Sequence, residues 1–155
     1  MDMDEYFFKK IYTIAFRLTG KENAACELAT IAIVKVVKEL DLNKQATSYV
    51  FKSTVLEVCK IFMEESDAEI NNLSTNTNIH SFTKPKDEVQ ALQEALLKLK
   101  PLCRITVMWK DILGFQLEEM LHIININKKE LSRELSCGRR QLKGDLFENI
   151  NSRRQ

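Results

Sequence analysis

The residues best equipped for chemistry are too scattered in this sequence to cooperate. Cys26, Cys59, Cys103 and Cys137 stand 33, 44 and 34 residues apart, with no CxxC pair and no histidine within a few residues of any of them. That spacing argues against a zinc centre or a thioredoxin-type dithiol, and the four read as reduced, buried thiols. His80 and His122 have no partner pattern. No Gly-rich phosphate loop, no Ser/His/Asp arrangement and no paired carboxylates occur in a supporting context, and Glu64-Glu65 and Glu118-Glu119 read as solvated charge. No enzyme activity, metal or cofactor is therefore expected. What remains is recognition by charge. Residues 128–155 hold eight basic side chains against four acidic, a balance of +4, whereas residues 1–86 hold eleven against twelve. Cations concentrated on one segment suit phosphate contacts.

The elements that must position these cations are helices. The chain has 155 residues, 45% hydrophobic and 29% charged, with only four glycines and two prolines. It can bury a core, but it lacks the turn residues of an all-β fold. Phe7, Ile11, Ile14 and Leu18 predict a first helix closed by Gly20. Glu22 to Leu40, with Leu28, Ile31, Ala32, Val36 and Leu40 at helical spacing, predicts a second; its β-branched run is too long for an ordinary strand. Being apolar nearly all round, it is expected to be central. Phe51, Val55, Val58 and Phe62 predict a third helix capped by Thr47 or Ser48. The polar stretch that follows has linker composition. The expected organisation is all-α, with two small helical domains, residues 1–65 and 87–155, joined by a polar linker over 66–86.

Beyond Pro85, Val89, Leu92, Leu96 and Leu99 predict a helix stopped by Pro101. A second, Leu102–Leu113, carries Ile105, Trp109 and Ile112 and is closed by Gly114; Trp109 reads as core. A helical segment Gln116–Ile124, with Leu117, Met120, Leu121 and Ile124 inward, precedes Asn125-Ile126-Asn127. A long helix follows with Leu131, Leu135, Leu142 and Leu146 inward, giving helix, three-residue turn, helix. Asn127 and Glu130 form an expected capping box, and Asn125 suits the left-handed end of the preceding helix. Lys128, Lys129, Ser132, Arg133 and Ser136 then lie on the solvent side of the second helix, where they can meet phosphates and base edges. A solvated basic helix face is the competing reading, and Glu130 and Glu134 among the lysines favour it. The longest apolar stretch, Ile31–Val37, is broken by Lys35 and falls short of the ~20 residues of a membrane span. The acidic start, Met1 to Glu5, resembles no secretory signal, so a soluble, cytoplasmic protein is expected.

Taken in order, these segments resemble the extracytoplasmic-function sigma factors of bacterial RNA polymerase. Ala95 to Arg104, Asp111 to Met120 and Arg139-Arg140-Gln141-Leu142 resemble the family's promoter-recognition region 4. Leu99, Arg104, Gly114, Glu119, Leu131, Arg139, Arg140 and Leu142 fall where its pattern expects such residues. Phe8 to Gly20, Glu22 to Leu28 and Tyr49 to Thr54 resemble region 2. The chain departs from the family at several places. Thr30 and Ile31 stand where acidic and amide residues usually grip the polymerase clamp, and Val37 replaces an aromatic. Val55-Leu56 and then Met63-Glu64-Glu65 replace a basic run, and those carboxylates would repel phosphate. Leu121 replaces a small alanine, which should widen the helix crossing, and Asn125 replaces a turn glycine.

The resemblance implies a protein that joins core RNA polymerase and directs it to promoters, with no chemistry of its own. It implies DNA contacts by Lys128, Lys129, Ser132, Arg133, Ser136 and Arg140, with Arg139 and Lys143 positioned on phosphate. Glu27, Thr30, Val34 and Lys38 are the implied polymerase contacts. An anti-sigma factor or a second sigma-like subunit would be a further partner. Two other readings stay open: a degenerate helix-turn-helix regulator that needs a partner subunit, and a helical protein–protein adaptor that has lost DNA binding.

Overall fold

The structure, a computed structural model, describes residues 5–71 and 87–153; residues 72–86, which make up most of the expected linker and include His80, and Arg154 lie outside them. The described residues are helical, without a strand: α1 (Glu5–Thr19), α2 (Glu22–Glu39), α3 (Thr47–Asn71), α4 (Glu88–Lys98), α5 (Pro101–Val107) running into a π-helical turn (Met108–Ile112), a 3-10 helix (Leu117–His122) and α6 (Lys128–Arg153). They form two compact units, Met1–Glu65 and Ser66–Gln155. Among the described residues no helix is long and apolar enough to cross a membrane.

In the first unit α1 buries Phe7, Ile11, Ile14, Ala15 and Leu18. Gly20 ends that helix at φ 68°, a conformation that costs a side-chain-bearing residue, while its N–H closes on the Phe16 carbonyl at 2.8 Å. α2 packs on α1 through Ala25, Leu28, Ala29, Ala32 and Val36. Its alanines have little side chain to separate the two backbones. The expectation of an all-round apolar, central α2 is corrected: Ile31, Val34 and Val37 are 42%, 45% and 41% exposed. The β-branched run covers more of the helix circumference than α1 and the core can enclose, so three of its members face outward. α3 contributes Val50, Val55, Val58, Cys59 and Phe62 to the core, and Phe51 meets Phe7 edge to face at 6.3 Å. Lys35 of α2 reaches Glu57 of α3 at 2.6 Å, and the carboxylate holds the ammonium above its ordinary pKa through that hydrogen bond. Thr47 is the first helical residue of α3 rather than its cap, and the Ala46 carbonyl accepts from Val50 N–H. The polar residues 66–71 continue the helix to Asn71.

The second unit begins with an N-cap that the periodicity did not reveal: the Asp87 carboxylate accepts from the Gln90 N–H at 2.7 Å. α4 buries Ala91, Gln93, Ala95 and Leu96, and Val89, expected inward, is exposed in the first turn. Pro101 starts α5 at a position that needs no N–H donor. Arg104 then turns back on the end of α4. Its guanidinium donates to the carbonyls of Leu96 (2.8 Å), Leu97 (3.0 Å) and Leu99 (2.8 Å) at the helix C-terminus, where intrahelical donors run out; the Leu96 carbonyl also accepts from the Leu99 N–H at 3.1 Å. Burial pulls Arg104 down to about 10, so it is still charged at neutral pH.

The expected helix Leu102–Leu113 is not uniform. After Val107 the chain widens into the π turn, with Leu113 N–H on the Met108 carbonyl at 2.9 Å. The extra residue in that turn shifts the phase of the apolar stripe, so Ile112, expected inward, faces solvent. Trp109 is fully buried as expected, donates its indole N–H to the Gln116 carbonyl at 2.7 Å and meets Phe115 at 4.5 Å. Gly114, at φ 74°, makes the reversal between them possible.

Candidate functional site

α6 is held against the unit by Leu131, Leu135, Gly138 and Leu142, all buried and spaced four, three and four apart. Gly138 marks the closest approach: a Cβ there would lie 2.8 Å from Val107 Cγ2 and 3.3 Å from the Cys103 carbonyl oxygen. Leu146 is half-buried. The start of the helix is fixed by Asn127, whose side-chain oxygen accepts from Glu130 N–H at 2.8 Å. Ahead of it stands a 3-10 helix, where the sequence suggests an α-helix. Its period of three puts Leu117 and Met120 inward, leaves Leu121 half-buried, and is secured by a capping box between Gln116 and Glu119.

This register sorts the expected DNA contacts. Lys128, Lys129, Ser132, Arg133, Ser136, Arg139, Arg140 and Lys143 are all exposed. Two of the cations are already engaged. Lys128 pairs with Glu118 of the 3-10 helix at 2.8 Å, and that hydrogen bond holds the carboxyl below its usual range. Arg139 forms a two-pronged pair with Asp111, Nε to Oδ2 at 2.7 Å and Nη2 to Oδ1 at 2.6 Å, tying α6 to the π turn. Lys129, Arg133, Arg140 and Lys143 have no carboxylate partner among the described residues. Of the two interleaved acids, Glu130 is exposed, and Glu134 is half-buried and accepts from the Cys103 thiol at 2.8 Å. Solvated charge is therefore not the whole account of the acidic residues: Glu118 and Glu119 both have partners, Glu119 through the Gln116 N–H at 3.4 Å.

The expected polymerase contacts share one face of α2. Glu27, Thr30, Val34 and Lys38 are exposed at spacings of three, four and four. The Thr30 hydroxyl donates to the Cys26 carbonyl at 2.7 Å, so this surface presents more methyl than hydroxyl. Ile31 and Val37 extend it. On α3, Val55 is buried and serves the core, while Glu64 and Glu65 are exposed. The cysteines divide in a way their spacing did not indicate. Cys59 and Cys103 are buried, as expected of all four, but Cys26 and Cys137 are exposed. Sequence reasoning missed the Asp111–Arg139 and Cys103–Glu134 contacts, which join residues 28 and 31 positions apart and leave no periodic signal.

No protein-family description matches the chain, and no curated protein matches its sequence. Among solved structures, the sigma factor RpoE from Bartonella quintana, determined in complex with the anti-sigma factor NepR, matches with a TM-score of 0.60. The match covers 92% of this chain and 92% of that one at 16% identity. The chain has the fold of a sigma factor. Within that fold, the α2 face and the α6 face described above carry the residues singled out from the sequence.

Proposed function

We propose that the chain is a sigma factor that joins core RNA polymerase and directs it to particular promoters, performing no chemistry of its own and needing no cofactor. The observation that carries this reading is the shared fold, which extends over nine-tenths of both chains. Residues 1–65 act as the region 2-like domain, against the clamp and the minus-10 element. Residues 87–155 act as the region 4-like domain, with α6 in the DNA major groove at the minus-35 element. The α6 face supports the second assignment: Lys129, Arg133, Arg140 and Lys143 supply unneutralised charge, Ser132 and Ser136 supply hydrogen-bonding hydroxyls, and Glu134 is engaged by the Cys103 thiol. Lys128 and Arg139 reach phosphate by exchanging their carboxylate partners for it.

A second reading is favoured by α2. Its exposed Ile31, Val34 and Val37, together with exposed Glu64 and Glu65 on α3, make a poor surface for an acid-reading clamp and for phosphate. They suit a sigma-like protein that works with a partner subunit. An anti-sigma factor is one candidate class, since the structurally similar RpoE was solved with one. The test is capture of purified core RNA polymerase by the protein, followed by run-off transcription on fragments of the source genome. Capture with specific transcripts supports the sigma factor. Capture without transcripts favours the partner-dependent reading, and no capture overturns polymerase recruitment.

A further inference from the structure

The α5–α6 crossing brings two cysteines and a carboxylate together. On α6, Glu134, Cys137 and Gly138 lie three and four residues apart and so share one side of the helix. That side meets Cys103 of α5. The Cys103 thiol donates to Glu134 Oε2 at 2.8 Å, and a Cβ on Gly138 would stand 3.4 Å from the Cys103 Cβ. Cys137, beside Gly138, adds to the upward push on the Cys103 thiol. Because Gly138 has no side chain, the α6 backbone comes close to Cys103 there, and Cys137 is the neighbouring residue of that approach; a disulfide needs a Cβ separation of about 3.5–4.5 Å. Cys103 is buried and Cys137 is exposed, which gives the pair one member that a small oxidant can reach and one held behind it.

We propose that Cys103 and Cys137 form a reversible intramolecular disulfide when the protein meets a peroxide. In the first step the Cys137 sulfur attacks the O–O bond of the peroxide; one oxygen stays on sulfur as a sulfenic acid, and the other leaves as water or alcohol. In the second, the Cys103 sulfur attacks the sulfenic sulfur. The S–S bond forms and the S–O bond breaks, with Glu134 taking the Cys103 proton and returning it to the departing hydroxide as water. Two thiols are oxidised and one peroxide is reduced. Burial and the hydrogen bond to Glu134 push the Cys103 thiol up to about 12, so it stays protonated until the sulfenic acid is beside it. That order makes Cys137 the first residue to react. The bond would form whether or not α6 binds DNA.

The test treats the full chain with hydrogen peroxide, blocks remaining thiols by alkylation, and maps peptides by mass spectrometry without reduction. The expected product is a Cys103–Cys137 cross-linked peptide, lighter by two hydrogen atoms and released by dithiothreitol, with Cys59 still alkylatable after unfolding. Cys137→Ser, at an exposed position, should fold normally and leave Cys103 unoxidised. Glu134→Gln should slow closure about tenfold or more while leaving sulfenic acid formation unchanged. The proposal is overturned if Cys137 proceeds to sulfinic acid or an intermolecular dimer while Cys103 remains a thiol. An unchanged closure rate in Glu134→Gln would remove Glu134 from the step.

Discussion

On α6 the residues turned to solvent include Lys129, Glu130, Ser132, Arg133, Ser136, Arg140 and Lys143, whereas on α2 they include Ile31, Val34 and Val37. Both helices bury one stripe at helical spacing, so the difference lies wholly in what the remaining face was left to do. Around α6, three acidic residues are drawn into local contacts, Glu118 to Lys128, Asp111 to Arg139 and Glu134 to a thiol, while Glu130 stays exposed. Around α2 the long-range ion pair, Lys35 to Glu57, tightens the unit while methyl groups stay in water. An exposed β-branched run has a solvation cost that packing would remove. The contrast therefore separates a face rich in cations without carboxylate partners from one that leaves methyl groups in water.

The most severe way to break the contrast is to remove the support of one face and leave the other intact. Trp109→Ala deletes the large buried side chain of the π turn and leaves the Gln116 carbonyl without its indole donor. It is expected to cost about 3–5 kcal/mol. Hydrogen exchange should show protection lost across α5 and α6 and kept in α1 to α3. Next in size is the charged face itself. Lys129→Ala with Arg133→Ala should weaken DNA binding by about 1–3 kcal/mol for each side chain that reads a base edge, and reduce its salt dependence. Titration at two salt concentrations checks this, and an unchanged affinity would make α6 a passive solvated helix.

The α2 face is tested by restoring charge to it. Ile31→Glu places a carboxylate where the sigma-factor pattern expects an acidic or amide residue. Because Ile31 is exposed, thermal stability should change by no more than about 0.5 kcal/mol. Polymerase capture should strengthen several-fold if this face meets the clamp, and weaken if it meets an apolar partner. A smaller effect is expected from Asp111→Asn, which releases Arg139. The pair is substantially exposed, so the loss of stability should stay within about 1 kcal/mol, and DNA affinity should rise slightly in the same titration.

Much of this arrangement was legible because helices announce themselves by period. Phe7, Ile11, Ile14 and Leu18, and again Leu131, Leu135 and Leu142, are buried where their spacing placed them. Asn127 caps as its side chain predicts. Period failed where local geometry changed it: Ile112 lies in a π turn and Leu121 in a 3-10 helix, and each is carried out of the expected phase. It also failed where apolar residues outnumber the neighbours available to cover them, as at Ile31 and Val89. The candidate faces were legible as residue types. Which cations were already paired was not, since Asp111–Arg139 and Glu118–Lys128 depend on how non-adjacent elements meet.

The finest distinction on the α6 face concerns Lys128, which the Glu118 carboxylate holds at 2.8 Å. The hydrogen bond from Lys128 lowers the Glu118 pKa below its ordinary 4.5. A depressed carboxyl contributes its stabilisation above the ordinary value and loses it as pH falls through the folded value. Acidification below that point therefore releases Lys128, while neutral pH keeps it occupied. A carbon-detected titration of the Glu118 carboxyl should find a midpoint below 4.5, and Lys128→Ala should move it upward. If the midpoint is already ordinary in the unaltered chain, Lys128 is available to phosphate from the outset, and the first turn of α6 carries one more unneutralised cation than the pairing allows.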